Sequence, residues 1–126
     1  MITIFGELYS SKNSKRIVKF GNRTALISSK AYLTSIKPIE QQLVLNRYKW
    51  REEIKNASKP LKIGFFLHRK TKRAFDWLNI GQGISDLMVK CGWLPDDNVN
   101  EYVPVFYGWD VDKNNPRIEI FLIKNQ

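Results

Sequence analysis

A single cysteine, Cys91, and a single histidine, His68, leave this chain without the ingredients of several common chemistries. One thiol cannot close an intramolecular disulfide or build a Cys-rich zinc site, and one imidazole excludes His-rich metal centres and the usual His-triad schemes. No apolar run approaches the roughly 18 to 20 residues that a membrane helix requires. The opening Met1-Ile2-Thr3-Ile4-Phe5-Gly6-Glu7 meets an acid before a basic leader or apolar run develops, so no signal peptide is expected. A soluble, cytoplasmic protein is the expectation. Walker loops, Rossmann fingerprints and nucleophile elbows are also missing, since Gly81-Gln82-Gly83 falls inside a helical pattern with no phosphate-loop context. Any chemistry therefore rests on carboxylates.

What is present is ordinary globular composition. With 126 residues, 43% hydrophobic and 26% charged, the chain is expected to form one domain spanning residues 1–126. The net charge of +9 is unevenly placed: residues 1–75 carry 17 basic and 4 acidic side chains, whereas residues 76–126 carry 4 and 8. Two acid-free stretches hold Lys12, Lys15, Arg16, Lys19, Arg23, Lys30 and Lys37, then Lys55, Lys59, Lys62, Arg69, Lys70, Lys72 and Arg73. Such segments bind phosphate backbones by charge neutralisation without reading sequence, or they are simply a solvated basic face. Acids that follow a basic run repel phosphates unless a cation stands between them. Mg²⁺ is held by one or two carboxylates plus water and substrate phosphates, so this composition suits a metal-dependent nuclease.

Residues 2–8 read as a strand, and Ser10-Ser11-Lys12-Asn13-Ser14 as a loop. Arg16 to Phe20 and Thr24 to Ser28 flank Gly21-Asn22 as a hairpin. Ser28 or Ser29 can cap a helix from Lys30, in which Pro38 either begins a second segment or kinks the first, with helical character to about Ala57. Leu61, Ile63, Phe65 and Leu67 alternate as a half-buried strand, followed by a cationic loop from Arg69 to Arg73. Ile80, Ile84, Leu87, Met88 and Cys91 form one stripe of a helix that Gly92 stops. Val103 to Tyr107 and Arg117 to Ile123 are strands joined through the turn-rich Asp110 to Asn115. The order β-β-β-α-β-α-β-β predicts an α+β fold, a mostly antiparallel sheet with two main helices packed on it.

Asp76, Asn79, Asp86, Asp96 and Asp97 lie across that last helix and the turn after it. Asp76 at the helix start also suits a structural cap. From Asp76 to the Asp96-Asp97 turn the separation is roughly 20 Å or more if the chain runs straight on. Both ends share a metal only if the chain folds back along the helix. Trp77 and Trp93 flank these acids and suit either stacking on unpaired bases or a place in the core or a dimer interface. His68, at a strand end, suits a phosphate contact or an exposed position better than a general base. Cys91, on the apolar stripe, reads as a small buried hydrophobe.

Taken together, Ser11-Lys12-Asn13-Ser14, the Ser28/Ala31/Tyr32 pattern, the basic loop before Asp76, the Asp76/Asn79/Asp86 helix and Gly92-Trp93-Leu94-Pro95-Asp96-Asp97 resemble the RusA-like Holliday junction resolvases. These are small endodeoxyribonucleases of bacteria and their phages, and the resemblance covers nearly the whole chain. It implies an α/β fold, a homodimer, Mg²⁺- or Mn²⁺-dependent carboxylates, and paired nicking of four-way DNA junctions in recombination and repair. No membrane partner and no small-molecule cofactor are expected. By position, Asp76 matches the first acid of the family's Asp-x-Asp-Asn motif, Asn79 its Asn, and Asp97 the distal metal-binding acid. These three are the implied catalytic residues, with Asp76, Asp97 and Asp96 as metal ligands. Asp86 and Gln82 are accessory candidates. Lys12, Asn13, Lys15, Arg16, Arg69, Lys70, Lys72 and Arg73 are the implied DNA contacts. Two positions depart from the pattern: the motif's second acid is Leu78, and the lysine three residues after its Asn is Gln82. The departures open an alternative, a catalytically impaired protein that binds junctions on the same fold. A third reading, from outside nucleic acids, is a basic structural or interaction protein whose acids are only caps and turns.

Overall fold

The computed structural model describes residues 1–9, 15–21, 23–28 and 30–124. It contains strands β1 (Ile2–Phe5), β2 (Lys15–Phe20) and β3 (Arg23–Ser28), helices α1 (Lys30–Leu45) and α2 (Arg47–Ile54), strand β4 (Leu61–Arg69), helix α3 (Trp77–Lys90), and strands β5 (Tyr102–Val111) and β6 (Arg117–Leu122). The expected loop at Ser10 to Ser14, with Lys12 and Asn13, and the Asn22 and Ser29 positions lie outside the described residues.

Four strands form one sheet in the order β1-β6-β4-β5, and β2 and β3 pair as a separate hairpin. β1 and β4 run antiparallel to β6, while β5 lies parallel to β4. The fold is therefore mixed α+β, with an antiparallel majority and one parallel pair. A parallel neighbour needs a crossover, and α3 supplies it between β4 and β5. The hairpin turns at Gly21, whose φ of 62° is a left-handed conformation that glycine adopts without a Cβ clash.

One sheet face carries the core. Ile63, Phe65 and Leu67 of β4 are buried with Ile2, Ile4, Ile118 and Ile120 of the neighbouring strands. Ile80, Ile84, Leu87 and Met88 of α3, with Ile39 and Leu43 of α1, belong to the same cluster. This is the stripe that the helical spacing predicts, and Cys91 is buried at its end as expected. α1 runs through Pro38, which sits at an exposed position where loss of one backbone bond leaves a carbonyl to solvent. The break falls instead at Asn46, whose side-chain Nδ2 donates to the Gln42 carbonyl at 2.8 Å, so three helices replace the two expected.

Within α3, Gly81 lies under the Trp77 indole, which would stand 3.1 Å from a Cβ there. Gly83 faces only Leu8 at 3.6 Å, an ordinary contact. Gly83→Ala is therefore expected to stabilise the fold by about 0.5–1 kcal/mol through helix propensity, and Gly81→Ala by less. Thermal melts of the two variants check the order.

Candidate functional site

The acids cluster because the chain reverses direction after α3. Gly92 adopts φ 81°, and the amides of Cys91, Gly92 and Trp93 donate to the carbonyls of Leu87, Val89 and Met88 at 2.8, 3.2 and 2.8 Å. These bonds satisfy carbonyls that a helix end otherwise leaves open. Trp93 then locks the turn from inside. Its indole stacks on Trp50 with centroids 4.8 Å apart, its Nε1 donates to the Leu43 carbonyl at 2.6 Å, and Trp50 Nε1 donates to the Trp93 carbonyl at 3.0 Å. Trp93 is thus a core residue, with no face available to a base.

Beyond this lock the segment doubles back along α3. Asp97 then lies within electrostatic reach of Asp86: partial desolvation first, and then the charge of Asp97, raise the Asp86 pKa above the ordinary carboxylate value. Among the described residues, no hydrogen bond or ion pair engages the Asp86 side chain, whereas the Asp97 side chain meets its neighbour Asp96. Asp96 has a different role. Its Oδ1 accepts from the Asp97 amide at 2.8 Å and its Oδ2 from Asn98 Nδ2 at 2.9 Å, which hold its pKa below the usual range and make it the turn former. Asp76 stands at the other end of α3 as its N-cap, with Oδ1 accepting from the Leu78 amide at 3.0 Å and Oδ2 from Asn79 Nδ2 at 3.2 Å. Ten residues of helix put it roughly 15 Å along the axis from Asp86. The structural cap weighed for Asp76 is what the structure forms. Among the described residues, no group of three or more His, Cys, Asp or Glu side chains is arranged to hold a metal ion.

Asn79, Gln82 and Asp86 share one polar stripe of α3, at i, i+3 and i+7, running from the Asp76 end toward Asp97. Leu78 is 76% exposed in the first turn. An apolar side chain there contributes nothing to the core.

Behind the acids sits a buried polar pair. Ser85 Oγ donates to the Gly81 carbonyl at 2.8 Å, which leaves its lone pairs to accept from the buried Tyr102 hydroxyl. Burial, and more weakly Asp97 and Asp86, raise the Tyr102 pKa, while the Ser85 bond lowers it. Ser85→Ala strands the tyrosine proton and is expected to cost about 1–3 kcal/mol. Adding Tyr102→Phe to that variant is expected to recover part of the loss, and a double-mutant cycle by denaturant unfolding reads the sign.

The expected DNA-contact residues divide. Arg69 is committed internally: its Nε meets Glu7 at 3.1 Å, its Nη1 donates to the Leu8 carbonyl at 3.0 Å, and its guanidinium lies 4.5 Å over the Phe75 ring. Lys70, Lys72 and Arg73 are exposed, and none of their side chains enters an ion pair among the described residues. Lys15 and Arg16 lie on β2 opposite Ser28 and Ile27. His68 is not placed for phosphate, because Nδ1 faces Asp110 at 2.6 Å and Nε2 faces Glu119 at 3.0 Å. Trp77 is half-buried and stacks on Phe106.

Trp109 was not among the residues singled out from sequence. It lies in β5 beyond the irregularity in the β4–β5 pairing, packs edge-on against Phe75 and is 37% exposed. An aromatic residue beside Gly108 and two acids reads as part of a turn, which hid it.

No helix of the described residues is long and apolar enough to cross a membrane. Compared with known proteins, the chain matches no family model and no curated protein.

Proposed function

We propose that this protein is a metal-dependent endodeoxyribonuclease of RusA-like type that nicks four-way DNA junctions in recombination and repair. The observation that carries the reading is the reversal after Gly92, which returns the chain to α3 through the Tyr102–Ser85 contact and brings Asp97 within electrostatic reach of Asp86. Asp86, which has no hydrogen-bond partner among the described residues, and Asp97, whose charge opposes its ionisation, offer carboxylate oxygens of the kind a hard cation takes. They fit Mg²⁺ or Mn²⁺, which keeps several waters and takes further oxygens from a phosphate. Asp97 and Asp86 hold the ion in this proposal, and the Asp96 turn fixes the backbone from which Asp97 projects. When bound, the ion supplies Lewis-acid polarisation of the scissile phosphate and a water of lowered pKa.

The residues around it position the substrate. Asn79 and Gln82 offer amide donors along the same stripe, and Lys70, Lys72 and Arg73 neutralise backbone phosphates beyond the Asp76 end. Asp76 orients Asn79 through its Oδ2 and caps the helix on which both lie. Paired nicks require two such sites, so the proposal includes a homodimer with two-fold symmetry matched to the junction.

A second reading is the junction binder that no longer cuts. It is favoured by exposed Leu78 at the position of the motif's second acid. Incubating a labelled four-way junction with saturating protein and Mg²⁺ separates the two. Chelator-sensitive nicks support the nuclease, and a bound but intact junction supports the binder.

A further inference from the structure

Trp109 is the exposed end of a series of aromatic rings rooted in the core. Trp77, the first residue of α3, stacks on Phe106 with centroids 4.6 Å apart and planes 22° from parallel. Phe75, immediately before Asp76, meets Phe106 edge-on at 6.4 Å and Trp109 edge-on at 5.1 Å. Arg69 lies against Phe75, and Glu7 and the Leu8 carbonyl hold it in place. The indole is therefore braced by fixed neighbours while more than a third of its surface stays in solvent. A perpendicular ring covers at most one face of an indole, and among the described residues Trp109 has no second ring contact.

Its surroundings identify what it fits. The Asp112 amide donates to the Arg69 carbonyl at 2.8 Å, which ties the end of β5 to the start of the cationic loop. Exposed Lys70, Lys72 and Arg73 follow in that loop. A flat, pre-positioned aromatic beside clustered cations matches single-stranded nucleic acid, whose bases stack while its phosphates meet the charges. An acidic peptide matches the cations alone and brings no flat base to the ring.

We propose that Trp109 is a stacking platform for an unpaired nucleobase, holding a branch-point or displaced nucleotide beside the Asp76 end of α3. The proposal rests on the DNA reading above and deepens it by assigning recognition of unpaired bases to one side chain. It does not depend on whether the acids cut.

The test uses the full chain with a labelled oligothymidylate and a matched duplex, at low and moderate salt. Oligothymidylate is expected to quench indole emission in the wild type, and Trp109→Phe to remove most of that quenching while keeping affinity within about threefold. Trp109→Leu fills the space against Phe75 without offering a π face. It is expected to weaken oligothymidylate binding by roughly 5- to 100-fold and leave duplex binding unchanged. Wild-type affinity in the Leu variant overturns the proposal, as does an equal loss on both probes. Polyglutamate competing as well as DNA also overturns it, because that polymer has no base to stack. Where the Leu variant does not fold, equal quenching in the wild type and Trp109→Phe overturns it instead. Failure of the wild type to bind either nucleic acid removes the DNA reading as well, whereas junction nicking with an unaffected Leu variant removes only the platform.

Discussion

Asp97→Asn is expected to reduce Mg²⁺-dependent nicking of a four-way junction by roughly 100- to 1,000-fold, the scale of several kcal/mol of lost charge stabilisation. The fold is expected to become no less stable. Asp97 enters no ion pair among the described residues, its side chain meets only its exposed neighbour Asp96, and its charge acts unfavourably on Asp86. The pH dependence follows from the direction of the Asp86 shift. A carboxyl whose pKa is raised on folding binds its proton more tightly in the folded state. Its ionisation therefore lowers stability as pH rises from the ordinary carboxylate value through the raised one. Asp97→Asn removes one cause of that shift. In metal-free buffer a small gain in thermal stability is expected above this interval, vanishing below it. Cleavage assays and melts across pH check both halves, and a variant that loses activity only because it unfolds contradicts the assignment.

Leu78→Asp combined with Gln82→Lys is expected to raise the nicking rate by about tenfold or more: the added cation lies one helical turn from Asp86, and the added acid, roughly 12 Å along α3 from Asp86, gives Asp76 a second carboxylate with which to hold an ion of its own. Both positions are exposed, so neither change disturbs the core. An acid in the first turn of α3 also interacts favourably with the helix dipole, worth about 0.3–1 kcal/mol. Single-turnover cleavage at several Mg²⁺ concentrations reads the effect as a lower metal requirement, a faster step or both. No change in either sinks the proposal that these two positions limit the site.

The elements whose side chains repeat regularly were legible in the sequence. The stripe from Ile80 to Cys91 defines α3, and the alternation of Ile63, Phe65 and Leu67 defines the inward face of β4. Strand β5 was legible only in part, because the pairing shifts between Phe65 and Phe66 and carries Tyr107 past its partner. That irregularity breaks the alternation and made Trp109 and Asp110 read as turn. The parallel pairing of β4 with β5 was not legible either, since strand direction depends on how α3 crosses the sheet.

The candidate site was legible at the level of residue type and less so in its grouping. Sequence spacing placed Asp76 and Asp97 at the two ends of one helix and made a shared ion conditional on a fold-back. The fold-back occurs, since Tyr102 returns to Ser85, and it brings Asp97 within electrostatic reach of Asp86; Trp93 docks on Trp50 before the turn and fixes where the chain reverses. Asp96 could not be separated from Asp97 by type. Only the bonds from the Asp97 amide and Asn98 identify it as the turn former. Arg69 read as one cation among several, but its partner Glu7 lies 62 positions earlier in β-rich chain that sequence cannot juxtapose.

Cleavage of a synthetic four-way junction against its matched linear duplex, with Mg²⁺ and with chelator, for wild type and Asp97→Asn, tests the central claim most directly. The account predicts paired nicks in the junction alone, present with Mg²⁺, absent with chelator and lost in the variant. An intact junction under saturating wild-type protein and Mg²⁺, or nicking that Asp97→Asn leaves unchanged, contradicts it.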